Sequence, residues 1–195
     1  MQFELTPLGE RSRLEVILST GFGGGSLKGS FSKIYGSFDF YIESPSLSKG
    51  EALMDARSLR FGYGKINQDA HKTDWLDSAR FPKVAFRMNG LKNANWTGKV
   101  LQADAHGSLS LKGRVAEISF PVNIRYLRQG RRKFDGKHGD VLVIEGILSF
   151  NRADFGLNRG KMLGEIMNRI SVGVTVFGCS ERVRPLLPSA LFDRN

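Results

Sequence analysis

A chain of 195 residues that is 41% hydrophobic and 25% charged has the apolar content for one packed core and too much of it for a disordered tail. No apolar run approaches the ~20 residues that cross a bilayer as a helix, and the start, MQFELTPLGERSRLEV, lacks the basic segment and long apolar stretch of a secretory leader. The net charge of +10 and pI near 10.0 favour acidic partners, and a lone cysteine, Cys179, excludes an internal disulfide. As it stands the sequence implies a cytoplasmic protein, or a periplasmic one if a leader has been trimmed.

The elements follow in chain order. Leu14, Val16 and Leu18 alternate with polar residues, and after the glycine-rich turn at 21–25 so do Phe38, Phe40 and Ile42. Period two is the mark of a strand with one apolar face. The stretch NQDAHKTDWLDSARFPKVAFR, residues 67–87, then breaks the pattern by placing Asp69, His71, Asp74 and Asp77 close together. Such a cluster suits a metal or an acid–base pair. It suits equally the cap and polar face of one short helix. A helix over 68–77 would put His71 and Asp74 on one face at i, i+3, with Asp69 near its start, where a carboxylate caps free N–H groups. Trp75 and Leu76 would turn inward, Phe81 would follow, and Pro82 would end it. The chain holds only His71, His106 and His138, with Cys179 far away, so neither a metal nor a cofactor is expected. No nucleophile elbow and no phosphate-cradling glycine loop is present, so no catalytic residues are assigned. The helix is read as a lid.

Alternation then resumes and persists. Leu101, Ala103, Ala105, Gly107, Leu109 and Leu111 share one face of a strand; Ala116, Ile118, Phe120, Val122, Ile124 and Tyr126 share that of the next. After the basic stretch RYLRQGRRKFDGKHG, residues 125–139, come Leu142, Ile144, Leu148 and Phe150, then Ile170, Val172, Val174 and Val176. The basic stretch reads as an exposed hairpin loop, either merely solvated or touching an anionic membrane surface. Most strand aromatics lie on the apolar faces, not beside basic residues on a common sheet surface, so no nucleic-acid partner is expected.

These patterns give an all-β protein: one domain over residues 1–195, with a core at about 12–178, a tail at 179–195, and an antiparallel sheet of about eight strands closed into a barrel. A barrel of that size is either filled by side chains or holds one ligand. Periodicity does not choose between the two.

Five segments carry a resemblance. DAHKTDWLDSARFPKVAFR resembles the signature of the YceI-like family; GSFSKIYGSFDF (29–40), ALMDARSLRFG (52–62), HGSLSLKGRVAEISFPV (106–122) and FNRADFGL (150–157) resemble its other motifs, in the same order. The resemblance implies an extended, lipocalin-like antiparallel barrel whose lumen holds a long isoprenoid chain, such as a polyprenyl or quinone tail, for carriage or storage without chemistry. The lumen is then expected to be lined by Phe38, Phe40, Trp75, Phe81, Phe86, Leu109, Phe120, Phe150 and Phe155. Asp69, His71, Arg152 and Asp154 are expected at the pocket mouth, facing a headgroup or holding the lid. A basic barrel for single-stranded nucleic acid and a lipid-modifying enzyme stay as alternatives, and a homodimer is left open.

Overall fold

The computed structural model describes residues 1–6, 11–21, 25–158 and 166–184. The described strands are β1 (Gln2–Thr6), β2 (Arg13–Thr20), β3 (Ser26–Phe31), β4 (Ile34–Asp39), β5 (Lys49–Asp55), β6 (Leu59–Phe61), β7 (Lys83–Thr97), β8 (Val100–Leu111), β9 (Arg114–Leu127), β10 (Val141–Asn151) and β11 (Ile166–Cys179). Two short helices, α1 (Gly64–Ala70) and α2 (Arg131–Phe134), and 3-10 turns at Pro45–Leu47, Ala56–Ser58 and Arg152–Phe155 lie between them.

Every pairing is antiparallel, and β1-β4-β5-β7-β8-β9-β10-β11 form an eight-stranded ring that β1 closes on β11. Closure pairs the β1 and β11 edges, while β6 keeps one free edge and β9 and β10 part beyond Val122 and Gly146. β1 and β2 lie end to end along β11, Thr6 opposite Phe177 and Arg13 opposite Thr175. β4 and β3 run end to end beside them, and β5 and β6 beside those. The second and third walls are therefore long strands, each broken once, at 32–33 and 56–58, and β1 and β2 share the first. The ring thus begins before residue 12, because Phe3 and Leu5 of β1 are buried in it.

The alternating faces point as their sequence implies. Leu101, Ala103, Ala105, Leu109 and Leu111 of β8 are buried, as are Phe120, Val122 and Ile124 of β9. Lys112 and Gly113 join these two strands with φ of 50° and 71°, the two positive values a tight hairpin needs to match strand twist.

Three segments differ from the sequence expectation. The helix covers Gly64–Ala70, not 68–77. It starts early because the Asn67 side chain pairs with the bare edge of β6, accepting from the Phe61 N–H at 2.6 Å and donating to the Phe61 carbonyl at 2.9 Å. Asp69 consequently lies in the last turn, where it caps nothing and instead pairs with Lys72 Nζ at 2.7 Å. Phe40 and Ile42 lie past the end of β4, buried at the barrel's far end; the Phe40 and Met1 backbones bond each other there. The basic stretch is no free hairpin tip. Its Phe134 packs on Phe177 with ring centroids 5.7 Å apart, joining a second apolar cluster of Val141, Val143 and Cys179. Arg131 is held by Asp135 at 2.9 Å and the Ser180 carbonyl at 3.0 Å, which leaves Arg132, Lys133 and Lys137 exposed. Parts of the 21–25 turn and the 179–195 tail fall outside the described residues.

Candidate functional site

The barrel is sealed at one end and split at the other. At the sealed end Asp140 is wholly buried and accepts from the Tyr126 hydroxyl (2.6 Å) and the N–H groups of Gln129 (2.8 Å) and Arg184 (2.8 Å). Burial, then the hydrogen bond to Asp140, pushes the Tyr126 phenol well above its usual value, so it stays neutral and donates. Met1, Phe3, Phe40 and Ile42 pack beside this network.

At the other end the ring opens into two leaves, because β9 leaves β10 beyond Val122 and Gly146 and β6 pairs with β3 but not with β7. A buried strand edge without partners is costly, so each opening needs cover. α1 and the chain after it fill the gap beside β6, placing Ala70, Trp75 and Leu76 in the cavity wall. The Arg152–Phe155 turn spans the top of the other gap. There Arg114 donates to the Asp154 carbonyl at 3.2 Å and Lys112 to the Gly156 carbonyl at 3.0 Å. The two covers are tied together by the Asn158 N–H, which donates to the Asp74 carbonyl.

The polar residues expected at the mouth are used in this cover. His71 lies 3.1 Å from Ser78 Oγ and 3.0 Å from the Leu59 carbonyl, with Arg60 at 3.3 Å. Nδ1 faces the Ser78 hydroxyl, and Nε2 faces both the Leu59 carbonyl and the Arg60 guanidinium. His71 thereby pins the chain after α1 to β6. Arg152 is 1% exposed, and its guanidinium donates to the carbonyls of Leu157 (3.2 Å), Asn158 (2.7 Å) and Ile166 (3.1 Å), while Nε lacks a partner. Burial lowers its pKa from the usual arginine value. Asp154 is exposed and contributes its backbone carbonyl to Arg114. Asp69 stands outside, against Lys72. Among the described residues no group of three or more His, Cys, Asp or Glu side chains could hold a metal.

Between the sealed end and the covers lies a cavity of about 130 Å³ open to the centres of water-sized molecules. That is roughly ten times the ~10–15 Å³ needed to hold one water. Its wall is wholly apolar, and such a cavity stays dry. Phe38, Trp75, Phe86, Leu109, Phe120 and Phe150 of the expected set line it. Phe40, Phe81 and Phe155 do not. Phe40 belongs to the sealed end; Phe81 covers the β8–β9 turn at Gly113, with Arg80 5.2 Å above its ring; Phe155 is buried behind Phe150, edge-on at 5.1 Å. Met54, Met88, Phe31 and Phe61 also line the cavity and were not anticipated. Phe31, Met54 and Phe61 sit on the broken strands, where runs are too short to show a period.

A model of the YceI-like domain matches residues 7–177. A protein of Pseudomonas syringae pv. tomato described as a UPF0312 protein is 26% identical over 156 residues, 80% of this chain and 75% of that one. Two solved structures share the fold. Burkholderia cenocepacia BcnA has a TM-score of 0.68 at 16% identity, over 87% of this chain and 97% of its own. A polyisoprenoid binding domain from Saccharophagus degradans has a TM-score of 0.66 at 14% identity, over 91% and 98%. A family model spanning most of the chain, on a closed eight-stranded barrel, is decisive: the chain belongs to the YceI-like domain family.

Proposed function

We propose that the protein binds a long apolar lipid, an isoprenoid or isoprenoid-quinone tail, in the barrel cavity and carries or stores it without chemistry. The observation that carries this is the wholly apolar wall. It is supported by the likeness to a domain described as polyisoprenoid binding. Removing apolar chain from water contributes about 0.8 kcal/mol per CH₂, so a tail of many carbons needs few polar contacts. Asp69, His71, Arg152 and Asp154 hold the cover in this reading and leave the headgroup outside. An organic extract of the purified protein should contain a stoichiometric apolar lipid by mass spectrometry. An extract free of lipid, together with no uptake of an added isoprenoid such as retinol, would defeat the proposal.

The exposed charges of the basic stretch fit weak contact with an anionic membrane, where a carrier would load or unload. Exchanging Lys133 and Lys137 for Gln should weaken binding to phosphatidylserine vesicles by roughly 1 kcal/mol per charge. The difference should shrink with added salt, because screening shortens the reach of exposed charges. Arg131 is left in place because it is part of the fold. Equal binding to neutral and anionic vesicles would remove the membrane from the account.

A further inference from the structure

Where β9 and β10 part, neither strand ends. β9 stays on β8 as far as Arg114, and β10 stays on β11 as far as Asn151. Each therefore turns a bare edge towards the other, along 114–121 and 147–151. The parting begins at Pro121, which has no N–H to give a ladder, and at Gly146, where a Cβ would stand 2.6 Å from the Pro121 carbonyl. The strands are closest at this apex and separate above it.

The lips of this seam are apolar inward, and outward each carries one large exposed apolar side chain among polar ones. Inward, Phe120, Leu148 and Phe150 belong to the cavity wall, and Phe150 is only half-buried. Outward, Val115 is 67% exposed on one lip and Ile147 is 63% exposed on the other. Large apolar side chains exposed beside a passage to an apolar cavity mark a surface that meets something apolar. Among the described residues, the Asp140 network fills the sealed end, Trp75 and Leu76 fill the gap beside β6, and the Arg152–Phe155 turn covers the top of the seam.

We propose that the β9–β10 seam is the portal through which an apolar chain slides sideways into the cavity, and that the bare strand edges form the subsite for its headgroup. Unpaired N–H and C=O groups along both lips suit a headgroup with hydrogen-bonding oxygens, such as a hydroxyl, a carbonyl or a phosphate. The chain slides in without disturbing the Asp140 network or undocking His71. This rests on the proposed lipid-binding function and adds the route and the headgroup position.

The test closes the seam. Continuing the register from Val122 opposite Gly146 would place Ser119 opposite Ser149, both pointing outward. Ser119→Cys/Ser149→Cys, oxidised to a disulfide or joined by a short bis-maleimide, should take up all-trans-retinol about tenfold more slowly than the same protein before joining. The disulfide form should recover on reduction. Cys179 is buried and does not compete. Joining Ser108→Cys to Glu117→Cys, which already face each other across β8 and β9, should leave the rate unchanged. Ser119→Trp, one bulky group on one lip, should also slow uptake and covers the case in which the double variant does not fold. An unchanged rate in both the joined protein and Ser119→Trp overturns the portal while lipid binding stands. No uptake of retinol by the unaltered protein overturns both.

Discussion

Replacing Ala105 with phenylalanine is expected to leave the purified protein almost free of lipid while it still folds. Ala105 is 2% exposed on β8, opposite Leu91 on one neighbouring strand and Phe120 on the other, and all three line the cavity. A phenyl ring there would occupy space otherwise given to the tail. Displacing about five methylenes at ~0.8 kcal/mol each costs about 4 kcal/mol, roughly a thousandfold in affinity. Overpacking a tight core costs about 1–3 kcal/mol, but here the added atoms enter a void, so the stability loss should fall at or below the low end of that range. Retinol titration, mass spectrometry of the extract and a melting curve on one preparation separate the two effects. Undiminished lipid in a well-folded Ala105→Phe protein would place the chain elsewhere.

The second large effect is on stability. Arg152→Met should lower the melting temperature by roughly 10 °C. The guanidinium gathers three carbonyls, from Leu157, Asn158 and Ile166, and so fastens the turn over the split end to the start of β11. Each buried acceptor left unmet costs about 1–3 kcal/mol. Relief from keeping a cation out of water returns part of that. A net loss of about 3–4 kcal/mol corresponds to roughly 10 °C for a chain of this size. Arg152→Lys should recover little, because a single ammonium cannot reproduce the planar fork that reaches three carbonyls. Calorimetry showing Arg152→Met within a degree or two of the parent would mean that the clamp contributes nothing net.

The strands that could be seen in the sequence are those long enough to repeat their period. β8 through β11 alternate over many residues, and their inward faces were identified residue by residue. β1, β3 and β6 show no period of their own because each is a short piece of a broken strand. The helix was displaced by about one turn because its position is set by Asn67 bonding to β6, a tertiary contact without periodicity. The Asp69–His71–Asp74 cluster looked chemical in one dimension; in the fold His71 meets the Leu59 carbonyl, Asp69 pairs with Lys72, and Asp74 offers its carbonyl to Asn158. Of the cavity wall, Phe86, Leu109, Phe120 and Phe150 on the sustained strands were anticipated, while Met88 beside them was not. Phe40, Phe81 and Phe155 were placed there because they are apolar residues of the motif segments, and each packs nearby but outside. Pro121 is the one mark of the seam in the sequence; the rest is an absence of pairing between two strands that both look complete.

The ring closes where β1 meets β11, with Glu4 opposite Cys179 and Thr6 opposite Phe177. Those partners are nearly the whole chain apart, and pairing across such a separation carries a large loop-closure cost and is slow. During synthesis, β1 is made long before its partner β11. The hairpins β7–β8 and β8–β9 can form from neighbouring residues, but the barrel cannot shut until residue 179 is free of the ribosome. For that interval the edges of β1 and β11 and the apolar faces meant for the cavity stand open to other chains. A shortened chain that stops before β11 would remain in this exposed state, so truncation at this end should yield aggregate, whereas a cut between whole hairpins in a repeat protein would leave a smaller folded one.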